Sequence, residues 1–402
     1  MALRDDFLKY LCQTSSEPIG IEIAHARNCR VMDRAGREYL DFISGIGVAN
    51  IGHAHPAVVQ AIRDQAKRYL HVMVYGEYLQ RPQVLLAKRL AEVTPEPLSV
   101  TYFTNSGTEA VEGALKAAKK FTGRHGLVAF EGSFHGDTSG SLSVTGREVY
   151  RKPFEPLLPN VRFLPFNDTA ALKVIDETTA AVIVEPIQSE GGVRLPNDGF
   201  LSALKEQCGR SGALLIFDEV MTGLGRTGKL FAGQHWNIVP DILVLAKALG
   251  GGMPLGAFIG RPEVMKVLSV DPPLSHVTTF GGHPVSCAAG AAALEVLLKK
   301  GLVEQAGPKG RRLLEGLKKL AELGGIRDVR GKGLLIGLEF DYSDLSRRFV
   351  AACRRAGLLL SWTLHSDTVV RLAPPLVISQ KELDRGIGIM GEALEKAIRE
   401  RS

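Results

Sequence analysis

The chain has 402 residues, 45 % of them hydrophobic and 23 % charged, which excludes a disordered or fibrous protein and leaves room for two or more lobes. The formal net charge of +6 is modest, and its short basic pairs (Lys119-Lys120, Lys299-Lys300, Arg354-Arg355) do not form the stripe that nucleic-acid binding needs. No apolar run approaches the roughly 20 residues that span a bilayer, and five scattered cysteines without a CxxC argue against a disulfide framework.

The stretch 1–18 carries Asp5 and Asp6 and no long apolar core, so no signal peptide is expected and a cytoplasmic location is. VMDRAGREYLDFISG (31–45) reads as a hairpin. LSVTYF (98–103) predicts a strand and TEAVEGALKAAKKF (108–121) a helix. GLVAF (126–130) and AAVIVEP (180–186) predict strands, FLSALKEQCGRSG (200–212) a helix, and ALLIFDEV (213–220) and DILVLAKAL (241–249) further strands. Apolar runs of this kind predict strands buried on both faces, hence an α/β lobe around a mostly parallel sheet. Beyond about 290 the pattern changes. AAALEVLLKKGLVEQ (291–305) and GRRLLEGLKKLAEL (310–323) read as helices, RGKGLLIGLEF (330–340) as a strand, and RRFVAACRRAG (347–357) as a helix. TVVRLAPPLVI (368–378) reads as extended and ELDRGIGIMGEALEKAIRE (382–400) as a helix. The expected division is a large domain over 55–290 and a smaller α/β domain from 291–402, joined by the N-terminal segment 1–54.

Open α/β sheets bind ligands at the carboxyl ends of their strands. Four polar sets stand there. Asn105-Ser106-Gly107-Thr108 precedes a helix, where backbone N–H groups favour a phosphate; a plain helix cap explains the same residues. Asp218-Glu219 ends an apolar strand, where a carboxylate needs a partner such as a protonated ring nitrogen or an ordinary arginine. Lys247 follows DILVLA and precedes Gly250-Gly251-Gly252; it reads either as an amine of lowered pKa or as a lysine snorkelling to the surface. Glu185, Glu190 and the distant Arg371 form the fourth set. A phosphate cradle, an aspartate for a ring nitrogen and a lysine for an aldehyde are the anchors of pyridoxal phosphate, and here they occur together and in order. His53 and His55 lack a third metal ligand nearby and suit a helix start better. Trp236 and Trp362 read as packing residues.

YLDFISGIGVANIGHAHPAVV, TNSGTEAVEGALKAAKKFTGR, FEGSFHGDT, AAVIVEPIQSEGGV, the run LLIFDEV to GAFIG around Lys247, HVTTFGGHPVSCAA, VRGKGLLIGLEF and VVRLAPPLVIS span about 30–380. Through them the chain resembles the class III (subgroup II, fold type I) pyridoxal-phosphate-dependent aminotransferases, nearest the acetylornithine/ornithine/4-aminobutyrate branch. The resemblance implies that Lys247 forms an imine with the cofactor aldehyde and shuttles the proton, and that Asp218 pairs with the ring nitrogen. It implies a phosphate site at Ser106, Gly107 and Thr108, a ring held between Phe134 and Val220, and cofactor contacts from His135, Glu185, Met221 and Thr278. Thr279 would reach the phosphate bound in the partner subunit, which implies a homodimer with shared active sites. Glu190 and Arg371 would form a gate, with Arg371 taking the α-carboxylate of glutamate and Glu190 neutralising Arg371 when an ω-amine binds.

The implied reaction is ping-pong transfer from an amino donor, expected to be an ω-amine, to 2-oxoglutarate. Three positions depart from the family pattern and bear on the donor. Asp137 stands where many acetylornithine and 4-aminobutyrate enzymes have a carboxylate-gripping arginine, so a donor that is cationic or lacks a carboxylate there is expected. Met221 replaces a glutamine, and Ile46 stands where ornithine δ-aminotransferases have a tyrosine. The rivals are an aminomutase of the glutamate-semialdehyde kind, which needs no second substrate, and an amine–pyruvate aminotransferase.

Overall fold

The structure is a computed structural model that describes residues 3–74 and 76–400, so the expected outer bounds at 1 and 402 lie outside the described residues. Helix α1 (Leu3–Tyr10) buries none of its side chains. Strands β1 (Ile23–Arg27), β2 (Arg30–Asp33) and β3 (Glu38–Asp41) form an antiparallel meander, and the expected hairpin is its β2–β3 half. Helix α2 (Pro56–Arg68) starts where His55 accepts a hydrogen bond from the Ala57 N–H and Pro56 supplies a helical φ. His53 pairs instead with Asp41, at 2.6 Å. After α3 (Arg81–Val93) come β4 (Val100–Thr104), α4 (Gly107–Thr122), β5 (Gly126–Phe130), β6 (Val161–Leu164), β7 (Thr179–Val184), α5 (Phe200–Ser211), β8 (Leu214–Asp218), β9 (Ile242–Leu245) and β10 (Gly256–Gly260).

These seven strands make one sheet in the order β4-β10-β9-β8-β7-β5-β6. Pairing is parallel from β9 through β6, while β10 runs antiparallel to both β9 and β4. Every residue of β7, β8, β9 and β10 is buried. The strand period of two sorts them: Leu214, Ile216 and Val244 pack with Ala110, Val111 and Ala114 of α4, and Leu215, Phe217 and Leu243 pack with Phe200 and Leu204 of α5 on the other face.

The remaining elements are α6 (Pro284–Lys299), α7 (Leu302–Ala321), β11 (Ile326–Lys332), β12 (Leu335–Phe340), α8 (Ser343–Arg355), β13 (Leu358–Leu359), β14 (Ser361–Thr363), β15 (Ser366–Leu372) and α9 (Gln380–Arg399). Two expectations change here. The single helix read at 291–305 is broken at Gly301, whose φ of 58° belongs to the left-handed region and ends α6. The single strand read at 330–340 falls across two antiparallel strands, because Gly333 (φ 57°) turns the chain between β11 and β12. The order β11-β12-β15-β14 makes an antiparallel sheet, and β13 pairs in parallel with β3, tying the first fifty residues to the C-terminal part. Among the described residues no helix is long and apolar enough to cross a membrane.

Arg226 locks these parts together. It is fully buried, and its guanidinium donates to the carbonyls of Leu334 (3.0 Å) and Pro374 (2.5 Å) and to Asn50 Oδ1 (2.5 Å). Replacing it leaves three buried acceptors without donors, at about 1–3 kcal/mol each before relaxation. Arg226→Met is therefore expected to lower stability by at least about 2 kcal/mol, read as a lower urea midpoint; an unchanged midpoint would contradict this role.

Candidate active site

A cavity of about 490 Å³ opens at the carboxyl ends of β8 and β9 and takes in Val48, Ser106–Thr108, Phe134–Asp137, Glu185, Glu190, Asp218, Val220, Met221 and Lys247. It thus collects residues from strand ends far apart in sequence.

Asp218 is the last residue of β8 and is buried. Its Oδ2 lies 2.7 Å from His135 Nδ1, and its Oδ1 accepts the Val220 N–H at 3.0 Å. With Asp218 ionised, Nδ1–H donates, so the imidazole orients the carboxylate and leaves its charge facing the cavity. His135 Nε2 has no hydrogen-bond partner among the described residues, and the ring lies fully inside the protein. The sequence placed His135 beside the cofactor; the structure adds that it braces Asp218.

Lys247 follows β9 by two residues and holds a left-handed φ of 48°, which costs a non-glycine residue roughly 1–3 kcal/mol. Its Nζ sits 3.6 Å from Met221 Sδ, a weak acceptor that leaves most of the donor capacity of the amine unused. Burial pushes the ammonium below its usual pKa of 10.5; Arg371 pushes the same way, against Glu190, Asp218 and Glu185. Met221 is itself packed under Gly47, where a Cβ would come within 2.5 Å of its sulfur.

Ser106 caps α4, its hydroxyl accepting the Glu109 N–H at 3.3 Å, and the 16-residue helix points its N-terminus at the cavity. Thr108 Oγ1 is 2.6 Å from Ser141 Oγ and 2.8 Å from Thr138 Oγ1, two hydroxyls that the sequence reading missed. Thr278 Oγ1 accepts from Asn105 Nδ2 at 3.3 Å, just behind this loop. Thr279 is exposed and lies outside the lining of its own chain's cavity. Glu185 commits both oxygens to backbone, accepting from Phe134 (3.0 Å) and Ser189 (2.9 Å); burial pushes its pKa up to about 7. It therefore positions the Phe134 loop.

Glu190 and Arg371 form a buried ion pair, with Ser189 Oγ also accepting from Arg371 at 3.3 Å. Burial alone would raise the Glu190 pKa, but Arg371, Lys247 and the Leu364 N–H hold it below the usual carboxylate range. Asp137 stands exposed at the cavity rim and makes no ion pair among the described residues. Ile46 does not line the cavity: left-handed conformations at Gly45, Ile46 and Gly47 turn the chain, and Val48 lines it instead.

Residues 11–394 match the model of the family Aminotransferase class-III. A curated relative, acetylornithine aminotransferase of Methanopyrus kandleri, is 43 % identical over 98 % of this chain and 99 % of its own. Among solved structures, the ornithine aminotransferase of Toxoplasma gondii superposes with a TM-score of 0.93 at 31 % identity, covering 99 % of this chain and 95 % of that one. A transaminase from the marine bacterium Virgibacillus gives 0.94 at 27 %, over the whole of both chains.

The chain belongs to the class III aminotransferases. It is a transaminase of the pyridoxal-phosphate-dependent kind, with the fold type I architecture. The cavity fits that cofactor: it offers a helix N-terminus for a phosphate, an oriented carboxylate for a ring nitrogen, and an amine with almost no other partner.

The lysine environment has a thermodynamic consequence. A native pKa below 10.5 means that the unfolded chain binds more protons in the window between the two values, so stability rises with pH there. The penalty for burying Lys247 is complete below its native pKa, fades as pH rises through that window and is gone above 10.5. In the cofactor-free protein, Lys247→Met is expected to be more stable than the parent at pH 7, by roughly 0.5–2 kcal/mol. The gain should shrink toward pH 10.5 in urea titrations; a gain independent of pH would contradict the lowered pKa.

Proposed function

We propose that this transaminase moves an amino group from an ω-amino donor to 2-oxoglutarate in two half-reactions at one site. The observation that carries this reading is the buried Glu190–Arg371 pair: Glu190 lines the cavity with Lys247, Arg371 lies behind it, and both charges act on the amine. An uncompensated buried charge costs about 3–5 kcal/mol, so Arg371 needs an anion at all times. A donor without a carboxylate at that end leaves Glu190 in place. A dicarboxylate such as glutamate replaces it, and Glu190 swings on the contact that its Oε2 already makes with the Leu364 N–H (2.7 Å).

Bound pyridoxal phosphate supplies an electron-withdrawing ring that stabilises charge left on the substrate carbon. The N-terminus of α4 with Ser106, Gly107 and Thr108 would hold its phosphate, Asp218 would stabilise a protonated ring nitrogen, and Phe134 and Val220 would flank its ring. Lys247 Nζ, whose burial favours the neutral amine, would take the proton from the substrate carbon and deliver it to the carbon that was the cofactor's aldehyde. Asp137 at the rim favours a donor whose far end is cationic or uncharged and disfavours a carboxylate there. A second reading, N-acetylornithine as donor, is supported by the 43 % identical relative of that name. An aminomutase is disfavoured because it has no use for an exchangeable anion at Arg371.

The working unit is proposed to be a homodimer. Leu70, Met73, Leu79, Val277 and Phe280 are exposed apolar residues, and the His71–Phe280 ring contact at 4.8 Å places the 70s beside the segment that carries Thr279. An apolar face of this kind is normally covered by a partner.

Two experiments check these readings. In half-reaction assays on the visible cofactor band, glutamate and an ω-amine should each bleach the parent. Arg371→Ala should lose the glutamate reaction by roughly a hundredfold or more, and Glu190→Gln should lose mainly the ω-amine reaction. Equal losses for both substrates in both variants would contradict the exchange. Sedimentation of the parent should give a dimer, which Leu79→Glu should shift toward monomer with loss of activity; a fully active monomeric parent would refute a shared site.

A further inference from the structure

A second groove lies away from the Lys247 cavity, where the turn at 227–229, helix α7 and the β11–β12 turn meet. Glycines let backbone approach backbone there. A Cβ at Gly228 would lie 3.2 Å from Gly307 Cα, and one at Gly310 would lie 2.0 Å from the Gly333 carbonyl oxygen. The groove encloses about 620 Å³.

Its walls carry Lys229, Arg311 and Lys332 against a single acid, Glu304. None of these three cations forms an ion pair among the described residues, although their neighbours Arg312, Arg327 and Arg330 all do. Lys332 Nζ lies over the Trp236 ring, 5.6 Å from its centre. His235 closes the groove, with Nε2 held 3.1 Å from both the carbonyl and the hydroxyl of Thr227. Burial, then Lys332 and Lys229, push its pKa down to about 4, against the Thr227 contact, so the imidazole is neutral and the local field repels a further proton.

We propose that this groove binds a small anion of the phosphate type, held by Lys229, Arg311 and Lys332. Three cations and one carboxylate leave two positive charges, which a phosphate dianion neutralises. Its several oxygens also take charge-assisted hydrogen bonds from three directions, where a carboxylate offers only two atoms. The bound anion rests on elements that lead to the active site: Thr227 follows Arg226, and β12 pairs with β15, placing Gly337 opposite Arg371.

The test is calorimetric titration of the cofactor-loaded protein with inorganic phosphate at constant ionic strength, so that the cofactor's own phosphate site is already filled. One saturable site per chain is expected, with Kd below about 1 mM. The Lys229→Ala/Lys332→Ala double variant should bind at least about tenfold more weakly. Arg312→Ala, which removes a cation already paired with Asp384, should bind as the parent does. No saturable heat in the parent, or undiminished binding by the double variant, would overturn the assignment.

Discussion

The Lys247 amine faces the cavity two residues beyond a wholly buried strand, partly shielded from water, and the rest of the site answers to that position. An amine acts as base or nucleophile only when it has lost its extra proton. Here burial lowers its proton affinity, and Met221 sulfur, its hydrogen-bond partner among the described residues, is a weak acceptor. The left-handed backbone at Lys247 adds local strain, which the surrounding sheet, the triple-glycine turn and the 221–234 loop must absorb. Function at this position is bought with stability.

Around that amine the charges are arranged so that each has a partner that can be exchanged or shared. Asp218 is oriented by His135 yet keeps a face toward the cavity. Arg371 rests on Glu190, itself held by the Leu364 N–H, so neither charge is left bare in the interior. The two arrangements come from different parts of the chain. Asp218 belongs to the parallel sheet, and Arg371 to the antiparallel sheet formed late in the sequence, with Arg226 bolting the intervening loop to both the N-terminal and C-terminal segments. Relative placement of the sheets therefore sets the distance between amine and anion.

Much of this was legible in the sequence because burial on both faces leaves continuous apolar runs. β5 matches its predicted bounds residue for residue, and β7, β8 and β9 each fall within one residue of the predicted start. The ends were read too far: the strand expected over 213–220 stops at Asp218, and the one expected over 241–249 stops at Leu245, with Lys247 opening a short 3-10 turn beyond it. Other features leave no local trace. The five residues Gly256–Gly260 are as apolar as their neighbours and carry no sign that β10 runs the other way. His135 and Asp218 are separated by 83 positions, so only the fold brings them into contact. Nothing local in the sequence marks Arg226 as fully buried. Gly301 and Gly333 each stood inside a run read as one element, because periodicity does not register a single left-handed residue. Ile46 was set against a family position, but the turn at Gly45–Gly47 gives the cavity wall to Val48.

The central claim is that Lys247 carries the cofactor and yields it to glutamate. Borohydride reduction of the loaded protein, followed by peptide mass spectrometry, tests it directly. The cofactor mass is predicted on the peptide containing Lys247, and glutamate added before the reductant should remove it. A mark on another lysine, or a mark on Lys247 that glutamate leaves untouched, would contradict the account.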